Sequence, residues 1–491
     1  MRLLDVPRPV HGRSTIAGKN HFGDTARMRY KIGGQLAFLF IVFAVPIVTV
    51  AMDREQAVQL AKEYLASDED DEREVLAERL ETYQGDVGTV LRALSRQKFL
   101  PVETGYRPRE KFSVSSLRRK HPEDLLYFTV PKSYRPDRPT GLIVYLHGGG
   151  NTTSRTAPHY IMDFPDEGEE DDTYQMGDVF EGTGMIAVGP SAPWDEDSSY
   201  RWCLEESDEY LADVIAECKS RFNIDADRVF LFGHSMGGFG AYHHILRQPD
   251  RFAGVIVNAG SWSLAYLPIM RGTPLCIVQG VHDARPGERW HYTDVAYARW
   301  TDRLLNQYDL DHTYFEHDGE HSLSFGKKYV ARYFQSARNV RRDPRYSHVV
   351  LASPVGFSRS HCYPVEHNRW LSLDEADEGR LTYDVLQSNE EDDFDDWQLE
   401  HRTRRLRGAA IDAVIEGDNT IRVTTKNVAR FTIWLDGRMV DLKKAVIVIV
   451  DDEIRFEERV YVSLLTALES YERRGDWGLV YPAKISLDLG Q

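Results

Sequence analysis

The chain has 491 residues, with 60 Lys and Arg against 77 Asp and Glu, and a formal net charge of −17. Its hydrophobic fraction of 42% and aromatic fraction of 11% exclude a disordered chain, and the acidic balance without a long basic stripe argues against nucleic acid as the main partner. Four cysteines in this length exclude a disulfide scaffold, so we expect roughly two to four folded units with ample core.

The first 51 residues predict export. Residues 32–52 contain no charged side chain, and three basic residues occur just before them, within residues 27–31. A basic flank, an apolar stretch and small residues near Ala51 are typical of a secretory signal peptide. The alternative is an uncleaved membrane anchor, because about 20 apolar residues can span a bilayer. In both cases we expect the rest of the chain outside the cytoplasm: secreted, periplasmic, on the cell surface or anchored in the membrane.

Residues 52–100 are predicted to form a small helical segment. Ala57, Leu60, Ala61 and Tyr64 fall on one face at helical spacing. The pattern indicates amphipathic helices with solvated charged faces, and nothing specific favours a partner-docking module instead.

Between residues 125 and 317, apolar strands alternate with amphipathic helices. Residues 142–146, 229–232 and 275–279 are strongly apolar runs, which are typical of strands buried on both faces. The alternation predicts an α/β domain over residues 101–345, with a mostly parallel sheet and helices on both of its faces.

Beyond this domain the helix–strand alternation stops. Residues 346–405, which include an acidic run at 388–396, are predicted to be a solvated linker. Short β-rich segments recur over residues 406–491 and predict a sandwich-like accessory domain. Asp436 and Gly437 form a hairpin signal between the two strand-like runs that flank them.

The strongest local signal for chemistry is the pentapeptide Gly233-His234-Ser235-Met236-Gly237, between a predicted strand and a predicted helix. A G-x-S-x-G turn in this setting forces the serine into strained backbone geometry, and the glycines avoid a steric collision. We expect the Ser235 hydroxyl to be a nucleophile at the helix N-terminus. The Met236 N–H and the helix dipole would then stabilise an oxyanion.

A second signal is a glycine-rich loop, His147-Gly148-Gly149-Gly150, directly after the predicted strand at residues 142–146. Glycines let backbone N–H groups approach the carbonyl oxygen of a substrate. We therefore expect a further oxyanion donor at Gly148 or Gly149.

A serine nucleophile needs a base, and the base needs an acid that orients it. In this strand order both follow the serine, so Asp283, at the end of a core strand, is the expected acid. His321 follows the last predicted strand and is the expected base. The less favoured alternatives are His317 for the base and Asp294 or Glu288 for the acid.

Aromatic and histidine side chains near the same edge are candidates for substrate contact. Trp202 ends a loop after one predicted strand, Trp262 follows another, and His234 precedes the nucleophile. The tryptophans could stack on a sugar or aryl acyl group, or they could simply pack the rim. His243 and His244 are interpreted as packing or substrate-contact residues.

Together these motifs resemble the α/β-hydrolase superfamily, and most closely its secreted carboxylesterases of the polyhydroxybutyrate-depolymerase, feruloyl-esterase and phospholipase/carboxylesterase type. Residues 222–229 leading into Gly-His-Ser-Met-Gly-Gly, residues 251–255 and residues 319–322 are similar to sequence blocks of that group. The resemblance covers about residues 125–337. Residues 283–287 depart from the family, which often has a hydrophobic residue and a proline shortly after the acid.

The resemblance implies ester hydrolysis through an acyl-Ser235 intermediate, with His321 as base and then acid, and Asp283 as its orienting partner. It implies a small-molecule or polymer ester substrate. No H-E-x-x-H, C-x-x-C or Walker motif occurs, so we expect neither a metal nor another cofactor. We expect no nucleic acid partner, and membrane contact only if the N-terminal segment is uncleaved. The oligomeric state stays open.

Two alternatives also stay open. Prolyl-oligopeptidase-type serine peptidases share the fold and the chain order, but they usually carry a large propeller or lid domain first, and residues 53–124 are too few for a propeller. A surface-binding protein that kept the fold without turnover is less favoured, because the serine, base, acid and glycine loop are all present.

Overall fold

The computed structural model describes residues 52–149, 156–166, 168, 173–191, 201–262, 264–283, 293–353, 355–358, 361–363, 366–388 and 399–490. The predicted export segment, residues 1–51, lies outside the described residues, and so do Gly150 and Glu288. Across the described ranges, no helix is both long enough and apolar enough to cross a membrane.

Helices occur at both ends of the described chain and between the strands of its middle part. They are α1 Arg54–Ala66, α2 Asp70–Glu81, α3 Val87–Leu94, α4 Ser115–Lys120, α5 His159–Met162, α6 Gly177–Thr183, α7 Glu205–Arg221, α8 Met236–Arg247, α9 Val295–Gln307, α10 Leu323–Ala337 and α11 Leu464–Arg474. A capping box begins α1: the Asp53 carboxylate accepts the Gln56 N–H, and the Gln56 side chain accepts the Asp53 N–H.

The strands form one large sheet and several smaller ones. They are β1 Gly105–Glu110, β2 Leu126–Val130, β3 Thr140–Leu146, β4 Ile186–Pro190, β5 Ile224–His234, β6 Gly254–Asn258, β7 Leu264–Ala265, β8 Leu275–Gly280, β9 His312–His317, β10 His348–Ser353, β11 Val355–Ser358, β12 His361–Tyr363, β13 His367–Asn368, β14 Leu371–Ala376, β15 Arg380–Ser388, β16 Leu399–Arg407, β17 Ala409–Ile415, β18 Thr420–Lys426, β19 Val428–Leu435, β20 Ala445–Val450, β21 Glu453–Arg459 and β22 Ala483–Asp488.

The large sheet has the strand order β1-β2-β4-β3-β5-β6-β8-β9. Its pairs from β4 to β9 are parallel, whereas β2 runs antiparallel to both β1 and β4. Leu146 at the end of β3 lies opposite Gly233 of β5, and Gly280 at the end of β8 lies opposite His317 of β9. The loops that follow these four strands therefore share one edge of the sheet.

Helices cover both faces of this sheet, which explains its apolar strands. Within β3, Leu142, Val144 and Leu146 join the core cluster that includes α7, α8 and α9, while Ile143 and Tyr145 join the cluster that includes α6 and α10. Successive side chains of a strand point to opposite faces, so both sets must be apolar. The predicted α/β sheet with helices on both faces is confirmed.

The C-terminal region contains two further sheets, with strand orders β10-β17-β18-β20-β21 and β13-β14-β19-β22. Val349, Ile411 and Val423 of the first sheet and Phe431 and Ile433 of the second are buried in one core cluster. The two sheets therefore contribute to one core, and the predicted β-rich C-terminal region is confirmed.

The turn at Asp436 and Gly437 does not close the predicted hairpin. β19, before the turn, pairs with β14 and β22, whereas β20, after it, pairs with β18 and β21. The connection crosses from one sheet to the other, and the Asp436 carboxylate forms ion pairs with Arg345 and Arg438. The hairpin prediction was wrong because a local Asp-Gly signal does not specify which strands pair.

The stretch predicted as a linker, residues 346–405, contains β10 to β15 and most of β16. β10 pairs with β17 of the sandwich, and β15 pairs with both β16 and β7. Almost every described side chain of β16 is exposed, so this strand lacks the apolar alternation from which a strand is predicted. The acidic run is almost wholly outside the described residues. The domain boundaries themselves stay a prediction.

The N-terminal helices pack against the other end of the chain. Leu60 of α1 and Leu80 of α2 share a buried cluster with Leu468 of α11. The Arg73 guanidinium donates to both carboxylate oxygens of Glu472, at 2.7 Å and 2.8 Å. The two termini of the described chain thus form one helical cluster, separate from the cores of the large sheet.

Candidate active site

Ser235 lies between β5 and α8 in a strained turn. Its φ of 56° and ψ of −119° are unusual for a residue with a side chain. A Cβ atom on Gly237 would lie 1.8 Å from the carbonyl oxygen of Leu146, and one on Gly233 would lie 1.9 Å from the carbonyl oxygen of Gly237. Neither position has room for a side chain, which is the physical reason for the G-x-S-x-G pattern.

Ser235, His321 and Asp283 form one hydrogen-bonded series. The Nε2 atom of His321 lies 2.8 Å from Ser235 Oγ. Its Nδ1 atom lies 2.9 Å and 3.0 Å from the two carboxylate oxygens of Asp283. His321 belongs to the loop between β9 and α10, and Asp283 to the loop after β8. The structure therefore brings the three predicted residues together at the shared edge of the sheet.

The Asp283 carboxylate is buried and held by a neighbour that the sequence analysis missed. Gln279 Nε2 donates to Asp283 Oδ2 at 2.9 Å and to the Thr293 carbonyl oxygen at 2.7 Å. Asp283 is 1% exposed, so this second hydrogen bond offsets part of the cost of burying its charge. The signal for Gln279 was a polar residue near the end of an apolar strand, four positions before the acid.

Two backbone segments flank the Ser235 hydroxyl. Met236 is the first residue of α8, where N–H groups lack intrahelical acceptors and the helix dipole favours negative charge. A Cβ atom built on Gly148 would lie 3.4 Å from the Ser235 Cβ atom, so the glycine-rich loop reaches the nucleophile. Gly149 is exposed. Both predicted positions for a further N–H donor thus belong to the loop beside Ser235.

His234 supports the site from beside the base. Its Nδ1 atom donates to Asn258 Oδ1 at 2.7 Å, and its ring lies 5.3 Å from the His321 ring, centroid to centroid. Burial, together with the neighbouring His321, lowers the pKa of His234 to about 3. Asn258 also accepts the Ser235 N–H at 3.0 Å through its backbone carbonyl. The sequence analysis missed Asn258, whose role depends on its position opposite His234 in the sheet.

The two tryptophans predicted to contact substrate occupy different environments. Trp202 is fully buried, and its indole N–H donates to the His147 carbonyl oxygen at 3.0 Å. Trp202 therefore supports the glycine-rich loop, and its contact with a substrate stays a prediction. Trp262 is partly buried beside the nucleophile helix, 6.3 Å from the His243 ring, and its substrate contact stays a prediction.

The alternative base and acid lie elsewhere. His317 is 7% exposed and stacks against Phe325 and Tyr329, and burial lowers its pKa. Asp294 accepts the Ala296 N–H at 2.7 Å as the N-cap of α9. Glu288 lies outside the described residues. The arrangement thus favours His321 and Asp283 over these alternatives.

The comparisons with known proteins agree with this architecture. Residues 188–284 match the family model described as serine aminopeptidase, S33, a stretch that runs from β4 through Ser235 to Asp283. The chain has the α/β-hydrolase fold. The elbow follows the fifth strand along the chain. The family-model match covers well under half of the sequence. No curated protein matches the chain.

Several solved structures are similar to part of this chain. A thermostable esterase is 18% identical, with 45% of this chain and 60% of that chain covered and a TM-score of 0.35. A ferulic acid esterase is 13% identical, with coverages of 48% and 99% and a TM-score of 0.36. Dipeptidyl peptidase 4 from Porphyromonas gingivalis is 15% identical, with coverages of 54% and 37% and a TM-score of 0.35. The fold itself leaves the substrate open, since one fold hosts many chemistries.

Proposed function

We propose that the chain is a serine hydrolase that cleaves carboxylic esters through an acyl-Ser235 intermediate. The observation that carries the proposal is the hydrogen-bonded series in which Ser235 Oγ lies 2.8 Å from His321 Nε2, with His321 Nδ1 2.9 Å from Asp283. A serine in this setting has a base within reach, and a buried carboxylate orients that base. We expect Ser235, His321 and Asp283 to act as the catalytic triad.

In the proposed reaction, Ser235 Oγ attacks the ester carbonyl carbon while His321 Nε2 takes the hydroxyl proton. The carbonyl π electrons move onto oxygen and form a tetrahedral oxyanion. The oxyanion collapses, the bond to the leaving alcohol breaks, and His321 gives its proton to the departing oxygen. Water, with His321 again as base, then attacks the acyl group and regenerates Ser235 with release of the carboxylic acid.

Two kinds of interaction lower the barrier in this scheme. Asp283 accepts the Nδ1–H of His321 and stabilises the imidazolium that forms after proton transfer. The N–H of Met236 and an N–H of Gly148 or Gly149 are proposed to bind the oxyanion. Preorganised donors of this kind typically contribute about 3–4 kcal/mol each to transition-state stabilisation.

We place catalysis in residues 101–345 and assign residues 406–491 an accessory role. The substrate class is a small-molecule or polymer ester, in keeping with the sequence resemblance to secreted carboxylesterases. Trp262 and His234 are the proposed substrate-contact residues. Export of the chain, with residues 1–51 either removed or kept as an anchor, belongs to the same proposal.

A serine peptidase is the second candidate function, because the matching family model is described as serine aminopeptidase, S33. Esters and amides use the same nucleophile, base and oxyanion donors, so the triad does not separate them. Ester cleavage is favoured by the sequence resemblance of residues 222–229, 251–255 and 319–322 to blocks of secreted carboxylesterases.

Hydrolysis of p-nitrophenyl acetate and butyrate by the wild type and by Ser235→Ala tests the proposal. We expect kcat to fall by about 10⁴-fold or more in the variant, because the nucleophile is lost. Ser336→Ala is a matched control, because Ser336 lies in α10 and donates to the Tyr333 carbonyl oxygen. The activity of this variant should stay close to that of the wild type. Equal, slow hydrolysis by wild type and Ser235→Ala would contradict the serine hydrolase assignment.

Matched ester and anilide substrates separate the two candidates. Each pair carries the same acyl group, including a free aminoacyl group for aminopeptidase activity. A higher kcat/KM for the esters, relative to their uncatalysed rates, supports the esterase. A clear preference for aminoacyl anilides supports the peptidase and overturns the ester proposal while leaving the role of Ser235 intact.

A further inference from the structure

Three metal-ligand side chains converge between α7 and α8, away from the nucleophile. Asp208 projects from α7, and His243 and His244 project from α8. Asp208 is 8% exposed, and both histidines are 0% exposed. His243 lies eight residues after Ser235, about 12 Å farther along the chain direction of the helix. Neither the G-x-S-x-G motif nor the proposed triad uses this cluster.

The distances fit ligands of a single small cation. One ligand atom from each residue lies within 4.8 Å of the others. Asp208 Oδ1 is 3.2 Å from His243 Nε2 and 3.2 Å from His244 Nδ1. With metal–ligand bonds of about 2.0–2.1 Å, ligand atoms at the corners of a tetrahedron lie about 3.3 Å apart. The spacing of these atoms is therefore close to that of a tetrahedral zinc site.

His244 shares one carboxylate oxygen with His243. His244 Nδ1 lies 3.2 Å from Asp208 Oδ1, and His243 Nε2 donates to the same oxygen at 3.2 Å. The Nε2 atom of His244 has no hydrogen-bond partner among the described residues. A cation placed among the three ligand atoms would replace both contacts to Oδ1.

We propose that Asp208, His243 and His244 bind a divalent metal ion of the zinc type. Two imidazole nitrogens and one carboxylate oxygen are a donor set that suits zinc. Arg247 Nε donates to the other carboxylate oxygen, Oδ2, at 2.5 Å. This contact fixes the carboxylate, as outer hydrogen bonds do around metal ligands. A metal ion at Oδ1 would take the place of the proton that His243 Nε2 donates to this oxygen.

The charge of Arg247 sets the expected strength of binding. One carboxylate and one guanidinium nearly cancel, so the cation enters a site with little net negative charge. Binding should therefore be weaker than at thiolate zinc sites. The ion would join α7 to the helix that follows Ser235, so its role is structural and not that of a Lewis acid in the reaction.

Zinc titration of the full chain, prepared without a polyhistidine tag and treated with a chelator, tests the proposal. We expect one equivalent of Zn²⁺ to bind and to raise Tm. His243→Gln and His244→Gln should each weaken binding by roughly tenfold or more. The matched control is His348→Gln, in the C-terminal sheet, where His348 contacts Asp412; it should bind zinc like the wild type. Both readouts are independent of ester hydrolysis.

The absorption spectrum of the cobalt-loaded wild type tests the proposal even if the histidine variants do not fold. Co²⁺ added to the wild type should give the intense visible bands of a four-coordinate site, saturating at one equivalent. The proposal is overturned by substoichiometric zinc binding, by weak bands typical of six-coordinate cobalt, or by unchanged affinity in both histidine variants. Any of these results would identify a cluster held by hydrogen bonds alone.

Discussion

His321 Nε2 lies 2.8 Å from Ser235 Oγ, although 86 positions separate the two residues in the chain. The contact depends on strand register, because β6 and β8 lie between β5 and β9 in the sheet. The loops that follow β5 and β9 can meet only if these strands end at the same edge of the sheet. His317 ends the same strand, but it stacks on the side chains of α10. The two histidines therefore offer a direct test of which loop supplies the base.

Replacing each histidine by alanine should separate these roles. His321→Ala should lower kcat/KM for p-nitrophenyl butyrate by about 10⁴-fold, because it removes the base that lies 2.8 Å from Ser235 Oγ. His317→Ala should mainly destabilise the fold, by about 1–3 kcal/mol, because it removes a buried ring. Esterase kinetics and urea unfolding of both variants check this prediction. Loss of activity only in His317→Ala would reverse the assignment.

Replacing a glycine of the elbow by alanine should affect activity and stability much more than replacing a glycine with free space around it. Gly237→Ala places a methyl group 1.8 Å from the Leu146 carbonyl oxygen, so backbone must move and we expect both activity and stability to fall. Gly182→Ala is the control: its Cβ atom meets nothing within 4 Å inside α6. Alanine there should stabilise the chain by about 0.5–1 kcal/mol. Urea unfolding measures both effects, and a Gly237→Ala variant with wild-type stability would contradict the close approach.

The local parts of the site were accessible from the sequence. The nucleophile elbow and the glycine-rich loop each occupy a few consecutive residues beside a strand, so their chemistry can be read locally. Asp283 and His321 followed from chain order. The structure brings all of these residues to one edge, while the oxyanion roles of Met236 and Gly148 stay predictions.

Parts that depend on distant packing were not accessible. Asn258 and Gln279 support the site only because of how strands lie side by side. The hydrogen bond from Trp202 to the His147 carbonyl oxygen also depends on such packing, which no spacing rule predicts. The contact of Arg73 with Glu472 joins residues 399 positions apart. Strand β16 was not predicted because its exposed, charged side chains give a sequence pattern typical of a solvated linker.

Lowering the pH should remove the stabilisation of the fold that comes from the charged Asp476 side chain and its cationic neighbours. Burial alone would raise the pKa of Asp476, but the charges of Arg342 and Lys219, both 3.0 Å from its Oδ2 atom, hold it well below its usual value. A carboxyl whose folded pKa is lowered contributes stability above its unfolded pKa of about 3.9, and this contribution is lost as the pH falls below that value. At pH 7, Asp476→Asn should be destabilised by about 1.5–3 kcal/mol, because the buried Arg342 and the partly buried Lys219 lose a charged partner while Arg342 keeps Asp227.

Urea unfolding at pH 7, pH 5 and pH 3 checks the sign. The difference between wild type and Asp476→Asn should be similar at pH 7 and pH 5. It should shrink at pH 3, because the carboxyl of the unfolded wild type takes up a proton there while the folded carboxyl stays ionised. Asp412→Asn is the control, because this half-exposed carboxylate contacts only the partly exposed His348 among the ion pairs described. A difference that does not change with pH would show that the Asp476 charge has no special role.

Substitutions in the helical cluster at the chain ends should destabilise this cluster without lowering the rate of ester hydrolysis. Leu80 is fully buried between the N-terminal helices and α11, so Leu80→Ala should cost about 2–5 kcal/mol locally. Arg73→Ala should cost about 1–3 kcal/mol, because this partly buried guanidinium donates to Glu472 and to the Ser67 carbonyl oxygen and lies over the Tyr64 ring.

Hydrogen exchange of α1, α2, α3 and α11, together with p-nitrophenyl butyrate turnover, measures both effects. Faster exchange in these helices, with kcat unchanged, is the expected result for Leu80→Ala, because the helical cluster and the cores around the catalytic sheet are distinct. Val75→Ala is the control, since Val75 of α2 is 57% exposed. If Leu80→Ala abolished turnover while the large sheet stayed protected from exchange, the helical cluster would have to act on the site, and its assignment as a separate packing unit would be wrong.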